Sequence, residues 1–172
     1  VYTVGDVSFN FHLYESNAVY KAWFDHYGKY IHNMSTTITY FDAGRYLETL
    51  HTTALADSLY RLDLVMAEGV EHIHFDIFQN LKMLTVVSNS SFSDLTFISS
   101  LKDLTHLTIE NCGLKSIDGI DGFTRLRYLK LCKNEIVSVP SSIGELKKSL
   151  ESLDMSSNDA RLKSLPPAFY TL

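Results

Sequence analysis

A chain of 172 residues, 45% hydrophobic, is long enough for one well-buried domain or for a short array of repeats. Its net charge of -5 and pI near 5.8 argue against a general nucleic-acid binder, which would carry a basic surface. No apolar run approaches the roughly 20 residues of a membrane span, and two cysteines are too few for a disulfide scaffold. There is no amino-terminal signal pattern; because the chain opens on Val1 rather than Met, a leader or a larger amino-terminal part is allowed for.

Residues 1–57 hold 12 of the 21 aromatic residues and show no clean leucine period. In VSFNFHLY, Val7, Phe9, Phe11 and Leu13 alternate onto one face, which predicts a strand. Ser16 or Asn17 can cap a helix over 18–30, AVYKAWFDHYGKY, where Val19, Trp23, Tyr27 and Tyr30 make an apolar stripe. TTITYF, 36–41, reads as a second strand, and Asp42 can cap a second helix through Ala56 with Leu47, Leu50 and Ala54 inward. Strand, helix, strand and helix make this region a capping unit or a set of degenerate repeats, its aromatics expected in core packing rather than around a ligand.

Beyond residue 58 a frame emerges. LRYLKLCKNEI places Leu126, Leu129 and Leu131 at positions one, four and six and Asn134 at nine. The same frame fits Leu59-Leu62-Leu64, Leu81-Leu84-Val86, Leu104-Leu107-Ile109 and Leu150-Leu153-Met155, with starts separated by 22, 23, 22 and 24 residues. The ninth positions are Ala67, Asn89, Cys112, Asn134 and Asn158. This pattern resembles the leucine-rich repeat family, L-x-x-L-x-L-x-x-N/C-x-L. The resemblance implies an α/β solenoid, a horseshoe with a parallel concave β-sheet, covering 58–172 in five repeats behind an amino-terminal α/β capping region at 1–57.

The physics of the frame agrees. Residues four and six lie two apart on a short strand and share the buried face, while their neighbours point to the open one. An amide at nine can satisfy backbone groups in the turn that leaves the strand; cysteine is a weakly polar substitute, and Ala67 offers no hydrogen bonds. After Cys112, Leu114, Ile117, Ile120, Phe123 and Leu126 fall three apart, as a 3₁₀-like return predicts, in a version that resembles phosphatase-regulator repeats. After Asn134, Val139, Pro140, Ile143, Leu146 and Leu150 resemble the intracellular repeat type. Two extra residues between Asn158 and Pro166 are expected in a bulge. Leu172 falls where a sixth repeat would begin, and an uncapped solenoid end exposes apolar core, so the repeats are expected to continue beyond 172.

Chemical signatures are weak. His72 and His74, with Glu71 or Asp76, lack further ligands at a metal-site spacing, and no Gly-rich phosphate loop, nucleophile elbow or zinc pattern is present. His26, His32 and His51 have no nucleophile to pair with. No catalytic residue, metal or cofactor is expected. Cys112 at an inward position and Cys132 at an outward one should not bridge. The cysteine-rich flanks of extracellular members of the resembled family are absent, and the sequon Asn33-Met34-Ser35 is joined by Asn89-Ser90-Ser91, whose asparagine belongs to the ladder. A reducing interior, cytosol or nucleus, is expected.

The outward positions form the candidate site: Arg61, Asp63 and Val65; Met83, Thr85 and Val87; His106, Thr108 and Glu110; Tyr128, Lys130 and Cys132; Ser152, Asp154 and Ser156. Val65, Met83 and Val87 make an apolar patch, and Arg127, Tyr128, Lys130 and Lys133 a basic, aromatic spot. Residues 58–121 hold 4 basic and 9 acidic side chains, residues 122–172 hold 8 and 5, so the balance moves from -5 to +3. The function expected is non-catalytic protein recognition, as a scaffold or adaptor, toward an extended or acidic segment. Two alternatives stand beside it. In TLHTTALADS, Thr49 and Leu50 resemble the elongin-binding box of a cullin-type ubiquitin-ligase substrate receptor, with Ala54 and Ser58 departing from it. A regulatory repeat region of a larger enzyme is the other.

Overall fold

The computed structural model describes residues 7–8, 16–27, 33–36, 55–66, 73–89, 92–162 and 164–171. Among them, seven strands form one parallel sheet in chain order: β1 (Val7–Ser8), β2 (Asn33–Thr36), β3 (Arg61–Val65), β4 (Met83–Val87), β5 (His106–Glu110), β6 (Tyr128–Lys130) and β7 (Ser152–Asp154). The register follows the leucine frame without a slip. Leu62, Leu84, Leu107, Leu129 and Leu153 stand side by side, so a shift of 22 to 24 residues along the chain is one step across the sheet. From β3 to β6 the fourth- and sixth-position side chains are at most 2% exposed. Burying each such aliphatic side chain is worth about 1.5–3 kcal/mol, so the stacked rows dominate the stability of the array.

The return segments close the other side of the core with short 3₁₀ turns at Phe75–Ile77, Thr96–Ile98, Ile120–Gly122, Ser141–Lys148 and Pro167–Thr171. Three residues per turn put i and i+3 on one side. Ile120 and Phe123, like Ile143 and Leu146, point inward, as their spacing predicts. Pro140, with φ -69° and ψ 150°, starts the longest of these turns. Phe92 stacks on Phe97 at 3.8 Å and Phe97 meets Phe75 edge-on at 5.5 Å, tying two successive return segments together. The extra residues after Asn158 form a turn in which the Asp159 carboxylate accepts the Arg161 N–H at 2.7 Å. At the last repeat Leu150, Leu153 and Met155 are only partly buried.

The amino-terminal elements begin as expected, with a strand at Val7–Ser8, but then depart from expectation in part. Helix α1 (Ala18–Tyr27) is capped by Asn17, whose Oδ1 accepts the N–H groups of Val19 and Tyr20, both at 3.0 Å. Its apolar stripe faces outward, however: Val19 is 79% exposed, and Trp23 and Tyr27 are exposed too. The buried side is set by Phe24, 3% exposed, with Tyr20 four residues before it against the core. Two aromatic rings one turn apart fill the space beside the sheet, which turns the Val19 face away. The second strand is β2 at Asn33–Thr36, starting before the predicted TTITYF; residues 37–41 and the body of the predicted second helix lie outside the described residues. Helix α2 (Leu55–Ser58) leads into β3.

What locks one repeat to the next is the turn after each strand. The eighth residue, Met66, Ser88, Asn111, Lys133 or Ser157, has φ between 53° and 56° in all five repeats. For a residue with a Cβ this left-handed conformation costs about 1–2 kcal/mol. Its N–H is turned sideways as a result and donates to the next repeat: Met66 to Val87 O at 2.8 Å, Ser88 to Glu110 O at 2.9 Å, Lys133 to Ser156 O at 3.0 Å. The ninth residue fills the interior of the same turn. Asn134 Nδ2 donates to Ile109 O, Leu131 O and Cys132 O at 2.7, 3.0 and 3.2 Å, and its Oδ1 accepts the N–H groups of Cys112 and Leu114 at 3.0 and 3.3 Å. Asn158 repeats the arrangement toward Ile136, Leu131 and Met155. Cys112 keeps only sulfur contacts, to Glu110 O at 3.2 Å and Val86 O at 3.5 Å. Ala67 lies outside the described residues.

Asn134→Ala strands several buried backbone groups at about 1–3 kcal/mol each. We expect a loss of about 3 kcal/mol or more in chemical denaturation; a loss below about 1 kcal/mol would show that water replaces the amide.

Candidate functional site

The strand register sorts the outward side chains into three rows. Arg61, Met83, His106, Tyr128 and Ser152 stand in the first, and Asp63, Thr85, Thr108, Lys130 and Asp154 in the second. Val65, Val87 and Glu110 stand in the third. Strands lie about 4.8 Å apart, so neighbours in a row touch. All the outward positions named from the sequence on β3–β5 are thus brought onto one face. Val65 and Val87 stand beside one another in the third row and Met83 stands in the first, across the row of Asp63 and Thr85; all three are half-buried.

The basic spot is built differently from its sequence reading. Lys130 Nζ lies 2.6 Å from Glu110 Oε2 and Lys133 Nζ 2.7 Å from Glu110 Oε1, so one carboxylate holds both ammonium groups. Hydrogen bonds from Lys130 and Lys133 press the Glu110 carboxyl down from 4.5 to about 2. Arg127 pairs with Glu151 through Nε at 2.6 Å and through Nη2. Tyr128 also bonds Glu151, which raises the phenol, and its ring stacks on His106 with centroids 4.5 Å apart and an angle of 19°. Desolvation and then the Arg127 charge lower the His106 imidazole from its ordinary value. The four predicted residues come together, but each cation among them already has a carboxylate.

Cys132, expected at an outward position, is covered there. It occupies the outward row yet is 4% exposed, and burial beside Glu110 raises its thiol. The lysines that reach over to Glu110 bring aliphatic stems across this part of the face. Both cysteines are free, and Asn89 of the second sequon is buried. Of the possible ligands in EHIHFD, His74 and Asp76 are exposed at a 3₁₀ turn, and residues 71–72 lie outside the described residues. Among the described residues no three His, Cys, Asp or Glu side chains come together as a metal site would need. Thr49, Leu50 and Ala54 of the elongin-box resemblance lie outside the described residues as well.

Sequence reasoning missed two features of the face. One is the His106–Tyr128 stack, which the register of third positions could have revealed. The other is Asp63. Arg61 Nε donates to its Oδ2 at 2.9 Å, while Oδ1 is buried with no hydrogen-bond donor. No pattern in the chain signals an unsatisfied atom.

Glu110 gives the site a pH signature. A carboxyl depressed in the folded state stabilises the fold fully above its unfolded value near 4.5, and this contribution disappears as pH falls toward about 2. Glu110→Gln is therefore expected to be less stable than wild type at neutral pH, with the gap closing across that acid window. Thermal melts of both proteins against pH check this; a gap that stays constant through the window counts against it.

No protein-family model matches the chain. Over 78 residues, 44% of its length, the chain is 41% identical to the volume-regulated anion channel subunit LRRC8D of Rattus norvegicus, of which it covers 9%. Among solved structures it is similar to the plant peptide hormone receptor RGFR1 in complex with RGF2, with a TM-score of 0.55 and 14% identity, over 83% of this chain and 26% of the receptor chain. The chain thus spans a small part of either protein, and the likeness to the receptor is one of fold. The leucine frame, the parallel sheet and the likeness to the receptor converge on one fold, an α/β solenoid of stacked 22- to 24-residue repeats.

Proposed function

We propose that this chain is a non-catalytic protein-recognition module, a scaffold or adaptor, that holds a segment of a partner against its concave sheet. The observation that carries the reading is the division of each strand. From β3 to β6 the fourth and sixth side chains are buried, while the third and fifth stay accessible and aligned in rows across the sheet. Such a surface offers many small, regularly spaced contacts, which suits an extended polypeptide more than a small molecule. The receptor of similar fold, solved with RGF2, supports a protein partner. The titratable side chains around Glu110 and Glu151 are held in ion pairs, and the Cys132 thiol beside Glu110 is buried and raised rather than activated, which favours recognition over catalysis.

A reducing compartment, cytosol or nucleus, fits this reading. Cys112 and Cys132 are unpaired and buried, and a glycan on Asn89 would have to displace a buried ladder residue.

The test is affinity purification with mass spectrometry from lysate of source cells, comparing wild type with Thr108→Arg and Tyr128→Ala on the concave face and Lys147→Glu on a return segment. Circular dichroism checks that all four proteins fold. Partners that bind the concave face should be depleted by about tenfold or more in the first two variants and retained by the third. Equal recovery in all four would reject the concave face.

A further inference from the structure

Among the described residues, one buried side-chain polar atom lacks a hydrogen-bond partner, and it lies on the concave face: Asp63 Oδ1. Asp63 sits at the fifth position of β3, opposite Thr85 of β4. Its side chain is 14% exposed, whereas Arg61, which reaches only Oδ2, is 45% exposed. Leaving a buried acceptor unpaired costs about 1–3 kcal/mol, and more for a charged group. Other carboxylates of the same region have no such deficit. Glu110 holds two lysines, Glu151 holds Arg127 and Tyr128, and Asp154 accepts the Ser156 N–H at 2.9 Å. The charge balance points the same way, because residues 58–121 carry 4 basic against 9 acidic side chains.

We propose that Asp63 is the position at which the concave face takes a cationic side chain, lysine or arginine, from an extended partner segment. The proposal rests on the concave-face reading above and gives that reading its partner chemistry. An ammonium or guanidinium supplies the donor that Oδ1 lacks, and the exposed Arg61 side chain moves aside to admit it. Apolar residues flanking the partner's cation meet Val65, Met83 and Val87. An acidic segment, the expectation from the carboxy-terminal charge surplus, would instead have to compete with Glu110 for Lys130 and Lys133, and with Glu151 for Arg127.

Short random peptides displayed on phage and selected on the full chain test this, with Thr108→Arg used to recognise concave-face binders. We expect those binders to share a lysine or arginine whose replacement by alanine weakens binding roughly ten- to hundredfold. Asp63→Asn should lose a similar factor, and the two losses should not add in a double-mutant cycle. Its melting temperature should be unchanged or raised, since the buried charge is gone. Asp63→Ser serves the same cycle where the asparagine variant does not fold. Concave-face binders indifferent to Asp63→Asn overturn the Asp63 assignment and leave the concave-face reading standing. The same holds for a lowered melting temperature with undiminished binding, which returns Asp63 to a structural role. Binders untouched by Thr108→Arg, or an empty selection, overturn both.

Discussion

A primary amide in the turn after the strand, present at Asn89, Asn134 and Asn158, carries the architecture. A chain that turns sharply after a three- to five-residue strand leaves backbone N–H and C=O groups inside, where water does not reach them. Asn134 answers this from a single side chain, joining carbonyls of its own turn to amides of the preceding repeat. Because it bonds both its own turn and, through Ile109 O, Cys112 N–H and Leu114 N–H, the preceding repeat, it fixes how one turn sits on the next. Cys112 shows the tolerance of the position: a thiol fills the volume but returns only weak contacts, and the repeat on either side keeps its register.

The left-handed residue beside the amide is the complementary constraint. Met66, Ser88, Lys133 and Ser157 are not residue types that favour positive φ, yet all adopt it. The conformation persists because it frees an N–H to bond sideways and lets the following residue enter the core. Local cost and lateral gain are coupled at the same atom. The accessible face follows from this without further design: once positions four and six are held inward in every repeat, three and five are delivered outward in rows.

That logic explains how much could be read in the sequence. The strands β3 to β7, their register and the 3₁₀ returns were legible because they obey one period, and a period of 22 to 24 residues repeated across the chain overrides local ambiguity. The amino-terminal region has no such period. There the helix stripe Val19–Trp23–Tyr27 looked like the inward face, but Tyr20 and Phe24 took it, a choice made by the shape of the space beside the sheet. The outward residues could be named from the frame, but their charge state could not. Lys130 and Lys133 are three apart in sequence and 20 or more residues from Glu110, and only the closeness of adjacent strands makes them share it. Asp63 was visible as an outward residue; its missing donor is a property of atoms rather than of pattern.

The lateral bonds have a direction. In the first four repeats the eighth-position N–H points to the following repeat, and the second-position carbonyl, such as Thr105 O, receives N–H groups from it. A repeat is therefore joined through its backbone to its two neighbours. A lesion in one repeat breaks a coupling rather than a global core, and the array on either side keeps its own stacked rows. Under load or heat such a molecule divides into blocks, and where it divides is set by the weakest junction. Among the described turns, the one around Cys112, lacking a ladder amide, marks the seam between β4 and β5 as the place to look for that division.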